Sequence, residues 1–135
     1  MNFLANWKLV NKEGLSNLDS IHNDLIIERN SKLINFEGLE ELTFIGGSID
    51  IQENITLESL DGLSSLTTIG GGLKLLDNQG LKIVNGPENL LTKGGDLRIN
   101  ENDEVIEITG FSSLKSIDGS LRFFLWRIVN EFQWF

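Results

Sequence analysis

Apolar and polar positions repeat along this chain with a period of 24 residues. The period is clearest in a glycine column that recurs at Gly14, Gly38, Gly62, Gly86 and Gly110. A repeat of this size is one supersecondary unit that cannot bury its apolar side alone, so each unit must stack on its neighbours. The pattern therefore predicts a repeat solenoid with one continuous core.

Stacking the sequence at this period aligns apolar columns that predict the layers of the core. One column is Leu18, Leu42, Leu66, Leu90 and Leu114; a second is Met1, Leu25, Ile49, Leu73, Leu97 and Leu121; a third is Phe3, Ile27, Ile51, Leu75, Ile99 and Phe123. The second and third columns lie two residues apart, which places them on one face of an extended strand and turns the residue between them outward. Each repeat is thus expected to contain one short parallel strand.

An asparagine column follows the predicted strands. Its members are Asn6, Asn30, Asn54, Asn78 and Asn102. A carboxamide carries both an acceptor and donors, so it can satisfy backbone groups that a solenoid corner leaves without partners in the strand ladder. We expect an asparagine ladder along this corner.

The repeated unit Gly-Leu-x-x-Leu-x-x-Ile-Gly-Gly-x-Leu-x-Ile-x-x-Asn-x-x-Leu, clearest from Gly62 to Leu81, is an unusual leucine-rich repeat and resembles the receptor L-domain. The resemblance covers essentially the whole chain and implies a right-handed β-solenoid with parallel strands and little helix. It predicts a single domain over residues 1–135 with about five and a half coils. The repeats lie near 14–37, 38–61, 62–85, 86–109 and 110–133, after a partial coil at 1–13. The motif residues are structural, so the resemblance implies no catalytic or ligand-binding residue.

Glycine pairs and three departures from the motif predict where the coils are tight or irregular. The pairs Gly46-Gly47, Gly70-Gly71 and Gly94-Gly95 precede strands and indicate tight turns that use positive φ. Pro87 and Lys93 stand where other repeats have leucine and isoleucine, and Trp126 stands where they have the ladder asparagine. We therefore expect the fourth turn and the last coil to be irregular.

Composition and family resemblance bear on the compartment and the partner. The net charge of −9 repels phosphate backbones, so nucleic acid is not expected as a partner. No apolar run is long enough for a membrane span, and the start of the chain has no signal-peptide pattern. The L-domain resemblance implies an extracellular or cell-surface protein, while a cytoplasmic location stays open. Because Met1 already falls in a strand column, we expect the chain to be a domain or fragment of a longer protein.

The outward strand positions are the candidate binding site, because a rigid ladder holds many side chains in register. The residues proposed for binding are Ile26, Asp50, Lys74, Leu76, Arg98, Arg122 and Phe124. Lys74, Arg98 and Arg122 form a basic row on an acidic chain, which favours a protein partner. The alternatives are an inert face on which Asp50 and Lys74 pair, within a structural or adhesive spacer of a larger surface protein, and carbohydrate binding through Phe124 and Trp126.

The C-terminal stretch over residues 121–135 is the most aromatic part of the chain. One interpretation is a bulky last coil that plugs the open end of the core. The other is that Phe124, Trp126, Trp134 and Phe135 form an exposed apolar patch that drives end-to-end association of two copies.

The sequence offers little to support catalysis. His22 is the only histidine and occupies a turn, where a structural role is more common than that of a general base. There is no cysteine, and the carboxylates of Glu101, Asp103 and Glu104 match no calcium-loop spacing. We therefore expect no enzyme activity, no metal site and no cofactor.

Overall fold

A computed structural model describes residues 1–4, 13–124 and 131–134 of the chain. These residues form a parallel-strand β-solenoid of about four turns with essentially no helix, as the repeat pattern predicts. The short 3-10 turn Glu13–Leu15 is the one helical element of the described residues. Fourteen strands lie within the described ranges; in chain order they are β1 Asn2–Leu4, β2 Ser20–Ile21, β3 Leu25–Glu28, β4 Phe44–Ile45, β5 Ile49–Gln52, β6 Thr68–Ile69, β7 Leu73–Leu76, β8 Ile83–Val84, β9 Thr92–Lys93, β10 Leu97–Asn100, β11 Glu107–Phe111, β12 Ser116–Ile117, β13 Leu121–Phe124 and β14 Glu131–Trp134.

Three parallel sheets form the sides of the solenoid. The largest has the order β1-β3-β5-β7-β10-β13, a second runs β12-β9-β6-β4-β2, and a third runs β14-β11-β8. In the first two sheets, each residue pairs with the residue 24 positions away in the neighbouring coil, for example Ile49 with Leu73. The third keeps this register until it shifts between Ile108 and Phe111. The sequence period is therefore the register of the sheets.

The core consists of the predicted apolar columns, and it thins at the outermost coils. Leu25, Ile49 and the equivalent leucines of the two following coils are buried. Met1 and Leu121, which the column pattern assigns to the same layer, are 40% and 42% exposed. That part of the prediction is wrong because Met1 directly precedes β1 and Leu121 lies in β13, and these are the two outermost strands of the sheet among the described residues.

The asparagine ladder runs through four buried side chains, those of Asn30, Asn54, Asn78 and Asn102. The Nδ2 atom of each of the first three donates to Oδ1 of the next, over 3.1, 3.1 and 3.2 Å. The backbone N–H groups of the same three residues donate to the same oxygens. The predicted fifth member, Asn6, lies outside the described residues.

The residue before each ladder asparagine has a left-handed backbone, which the sequence analysis missed. Arg29, Glu53, Asp77 and Glu101 have φ between 53° and 56°. At these positions the chain leaves the strand and turns into the corner.

Arg29 and Glu53 also form an ion pair across neighbouring coils. Arg29 Nε donates to Glu53 Oε2 at 2.8 Å, and this contact lowers the pKa of the Glu53 carboxyl.

The paired glycines are required for a different reason from the one predicted. Of the six, only Gly95 has positive φ. A Cβ atom on Gly70 would lie 2.2 Å from the carbonyl oxygen of Gly46, and one on Gly94 would lie 2.1 Å from that of Gly70. Both distances are far inside van der Waals contact, so close stacking of the turns excludes a side chain.

The fourth turn is irregular at Pro87, as predicted. Gly86 lacks the positive φ of Gly38 and Gly62, and Pro87 has no N–H to donate the bond that Leu63 donates to the carbonyl of Leu60 in the preceding coil.

After Pro87 the turn is regular, contrary to the prediction from Lys93. Leu90 donates to the carbonyl of Pro87 at 3.1 Å, as Leu66 donates to that of Leu63 at 3.1 Å in the preceding coil. Lys93 keeps the sheet register opposite Ile69. Its side chain folds back so that Nζ donates to the carbonyls of Gly94 and Gly95, and the stem fills the isoleucine position of the other coils. The third departure, Trp126, lies outside the described residues.

Candidate functional site

The outward face of the six-stranded sheet is formed by alternation along each strand. In β3, β5, β7 and β10, buried residues alternate with half-buried ones that face solvent. One outward row places five of the predicted binding residues side by side, in the order Ile26, Asp50, Lys74, Arg98 and Arg122. The neighbouring row contains the other two, Leu76 and Phe124, separated by Asn100. The structure thus brings all seven onto one face.

Two of the three cations in the predicted basic row are neutralised by carboxylates. Lys74 Nζ lies 3.5 Å from Asp50 Oδ2 and donates to Gln52 Oε1 at 3.0 Å. Arg98 donates to Asp96 Oδ2 from Nε at 3.1 Å and from Nη2 at 2.5 Å. The expected basic strip is therefore a charge-balanced surface around Lys74 and Arg98.

A column of short side chains borders this row and caps the backbone of the following coil. Asp24 Oδ1 accepts the Ser48 N–H at 2.7 Å, and Ser48 Oγ accepts the Gly72 N–H at 3.0 Å. Asp96 Oδ1 in turn accepts the Ser120 N–H at 2.9 Å. This backbone donor, followed by the Arg98 side chain, lowers the pKa of Asp96 below its ordinary value.

The column is interrupted at Gly72, and a groove opens there. The groove has a volume of about 390 Å³ and is lined by Ser48, Ile49, Asp50, Gly72, Leu73, Lys74, Gly95, Asp96 and Arg98. Asp50 Oδ1 is one of three buried side-chain oxygens in the described ranges that accept no hydrogen bond. The groove therefore combines a buried, unpartnered carboxylate oxygen of Asp50 with two ion pairs. Its signal in the sequence is the glycine at the position where the other coils have Asp24, Ser48, Asp96 and Ser120, a signal that the sequence analysis did not use.

Exposed aromatic surface lies at the edge of this face. Phe124 is 67% exposed on β13, the outer strand of the sheet. Leu76, in the same row, is half-buried. Trp126 and Phe135 lie outside the described residues, and nothing is described of the Trp134 side chain.

His22, the single histidine of the chain, is the remaining candidate for acid–base chemistry. His22 is exposed at a turn, and its ring meets the edge of Phe44 at 6.3 Å between centroids. Within the three described segments, no group of three or more histidine, cysteine or carboxylate residues is arranged to hold a metal ion. In the same segments, no helix has the length and apolar character needed to cross a membrane.

Comparison with known proteins gives no assignment. No protein-family model matches the sequence, no curated protein matches it, and no solved structure matches the fold.

Proposed function

We propose that the chain is a non-catalytic binding module that recognises a protein partner through the outward face of the six-stranded sheet. The observation that supports this most strongly is the groove at Gly72. It provides the unpartnered Asp50 oxygen beside the paired charges of Lys74 and Arg98. This oxygen is buried in the free protein, so a donor from a partner reaches it once the Asp50 carboxylate rotates toward the groove, and the partner then gains a bond that the free protein lacks.

The rim of the groove adds contact area with mixed character. Ile26 and Leu76 contribute half-buried apolar surface, and Arg122 and Phe124 extend the face to the last strand of the sheet. Interfaces commonly combine apolar anchors with a polar rim. A face of this composition suits a folded protein surface or loop that carries both donors and apolar side chains.

We further propose that the module belongs to an extracellular or cell-surface protein similar to receptor L-domains. The support is the 24-residue leucine-rich unit together with its asparagine ladder. Cell fractionation of the source organism with an antibody to this chain tests the compartment, and recovery in the soluble cytoplasmic fraction alone would contradict it.

Selection from a displayed peptide library against the immobilised chain tests the binding site. Gly72→Asp fills the groove with a side chain that the equivalent positions Asp24 and Asp96 carry. Its Cβ would lie 3.1 Å from the carbonyl oxygen of Asp96, so the turn must shift slightly, and an unchanged thermal midpoint is the check that the variant remains folded. Selected peptides should bind this variant at least about tenfold more weakly, which corresponds to roughly 1.4 kcal/mol. Thr68→Asp on the second sheet is the matched control, because it adds the same charge elsewhere and should leave binding unchanged.

Two results would contradict the proposal. Peptides that bind Gly72→Asp as tightly as the parent would place recognition elsewhere on the solenoid. A selection that yields no binder would favour the structural or adhesive spacer.

Carbohydrate binding is the second candidate, and the exposed Phe124 ring is the observation that favours it. A glycan array with the parent, Phe124→Ser and Trp126→Ser separates the two candidates. Glycan signals that both aromatic substitutions remove, with no effect of Gly72→Asp, would support carbohydrate recognition over protein recognition.

A further inference from the structure

A second groove lies on a flank of the solenoid, away from the outward face of the six-stranded sheet. It follows the asparagine corner, has a volume of about 560 Å³ and is lined by Ser31, Lys32, Ile34, Ile55, Thr56, Glu58, Gly80 and Lys82. Two of these residues are large exposed hydrophobics, since Ile34 is 45% and Ile55 is 56% exposed. The groove thus has an apolar lining open to solvent.

Backbone hydrogen bonds hold the coils that form this groove in a fixed stack. Glu58 N donates to Ile34 O at 2.9 Å, and Lys82 N donates to Glu58 O at 3.1 Å. Ile106 N donates to Lys82 O at 3.0 Å, which continues the column with a third isoleucine, 41% exposed. The groove is therefore preformed, and a ligand need not order it.

The charge of the groove differs from that of the rest of the molecule. The chain has a net charge of −9, yet two lysines and one glutamate line this groove. Lys82 is exposed, and its ammonium forms no ion pair or hydrogen bond with the residues that the structure describes. By contrast, Arg29, Lys74 and Arg98 are all ion-paired. Lys82 is thus an available cation beside exposed aliphatic surface.

From this combination, we infer that the Ile34–Lys82 groove binds an extended acidic segment of a protein partner, with aliphatic side chains against Ile34 and Ile55 and carboxylates near Lys32 and Lys82. Coils are spaced at about 4.8 Å, so the two lysines, two coils apart, are separated by about 10 Å along the axis. Carboxylates four residues apart on an extended chain lie on the same face and are separated by about 13 Å, a distance that the long lysine side chains can span. The side chain midway between the two carboxylates lies on that face as well, against Ile34 and Ile55.

An acidic peptide fits this groove better than an anionic membrane does. The same lysines and isoleucines could in principle face phospholipid, but the net charge of −9 opposes the approach of the whole molecule to anionic headgroups. A short peptide contacts the groove alone and avoids this repulsion. The open shape also suits a segment of a larger partner, because small-molecule sites usually enclose most of their ligand.

Fluorescence anisotropy with three labelled peptides tests the inference. The probes carry Asp-Ser-Leu-Ser-Asp, Lys-Ser-Leu-Ser-Lys or Asp-Ser-Ser-Ser-Asp between the same glycine flanks, which places the first, third and fifth side chains on one face. The first should bind at least about tenfold more tightly than the other two, because only it supplies both the carboxylates and the apolar contact. Equal binding of all three, or no binding of the first, overturns the inference.

Variants of the exposed groove residues assign the site. Ile55→Ser and Lys82→Glu should each weaken binding of the first peptide by about tenfold. Leu91→Ser and Lys115→Glu are the matched controls, since they make equivalent changes at exposed positions elsewhere. Unchanged far-ultraviolet circular dichroism and thermal midpoints show that all four variants remain folded. Peptide affinity that survives both groove substitutions overturns the site.

The same variants separate this groove from the strand face and from lipid. Gly72→Asp should leave the affinity for the first peptide unchanged, so this inference and the proposed function can fail independently. Sedimentation with vesicles of phosphatidylserine and phosphatidylcholine should not pull the chain down. Vesicle binding that Ile55→Ser and Lys82→Glu abolish would assign the groove to membranes and overturn the peptide inference.

Discussion

Lys93 is buried at a core position, which is unusual for a lysine. Its side chain is 1% exposed, and desolvation by burial lowers the pKa of the ammonium from 10.5 to about 8, against the opposing fields of Asp96 and Asp118. Two backbone carbonyls accept its hydrogen bonds, and no carboxylate of the described residues forms an ion pair with it. The coil therefore contains a charged group at an apolar position.

Lys93→Ile should stabilise the protein at pH 7 by about 2 kcal/mol, because relief of desolvation exceeds the loss of two hydrogen bonds to carbonyls near the surface. The native pKa lies below that of the unfolded chain, so the parent gains stability as pH rises from about 8 to 10.5. That gain should approach about 3 kcal/mol and should be absent in the variant.

Urea unfolding of parent and variant at pH 7, 9 and 10.5 measures this difference. Lys115→Ile serves as the control, since Lys115 is exposed. A stability gap between parent and Lys93→Ile that does not narrow with rising pH would show that Lys93 is not desolvated in solution.

At the level of the element, the asparagine corner connects each coil to the next. Asn78 donates to Ile51 O at 3.0 Å and Leu76 O at 3.2 Å, besides its bond to Asn102. Its Oδ1 accepts two further bonds from Asn54. One side chain thus satisfies backbone groups in two coils.

Asn78→Ala should lower the free energy of unfolding by about 3 to 5 kcal/mol, because several buried polar groups lose their partners at once. Asn89→Ala is the comparison, as exposed Asn89 donates a single bond to Ser64 O at 2.8 Å. That substitution should cost under about 1 kcal/mol. Similar chemical denaturation curves for the two variants would argue against a cooperative ladder.

The elements also show which features the sequence could predict. The strands and the ladder follow from chemical type at a fixed period, so residues such as Ile49 and Asn54 are assigned from the pattern alone. The pairing of Lys74 with Asp50 depends on side-chain geometry between coils, and the sequence could offer it only as one alternative. The left-handed backbone at Glu53 was not predicted, because glutamate carries no preference for it. The groove at Gly72 depends on a missing side chain, which is visible only against its neighbours in the stack.

At the scale of the whole molecule, the outermost described strands of the largest sheet are β1 and β13. Within the described residues, β1 and β13 each have a single neighbour in the six-stranded sheet. Leu121 and Phe124 on β13 are 42% and 67% exposed. Outer strands with exposed apolar side chains are common sites of association between chains.

Purified chain should therefore increase in mass with concentration when measured by light scattering coupled to size exclusion. Added salt should strengthen the association, because it screens the repulsion between molecules of net charge −9. Phe124→Ser should weaken it, whereas Phe44→Ser, which removes a ring 38% exposed on the second sheet, should not. A constant monomer mass over a wide concentration range would contradict the prediction.

The asparagine ladder has a direction. Each asparagine from Asn30 to Asn78 donates to the asparagine of the coil of higher residue number, and none of these side-chain bonds runs the other way. A second copy that stacks head to tail continues this polarity, whereas a head-to-head contact opposes it. Head-to-tail contacts that do not close by rotation generate open assemblies. If copies of this chain join through their outer coils, the product should be a polar filament that grows from its ends, not a closed twofold pair.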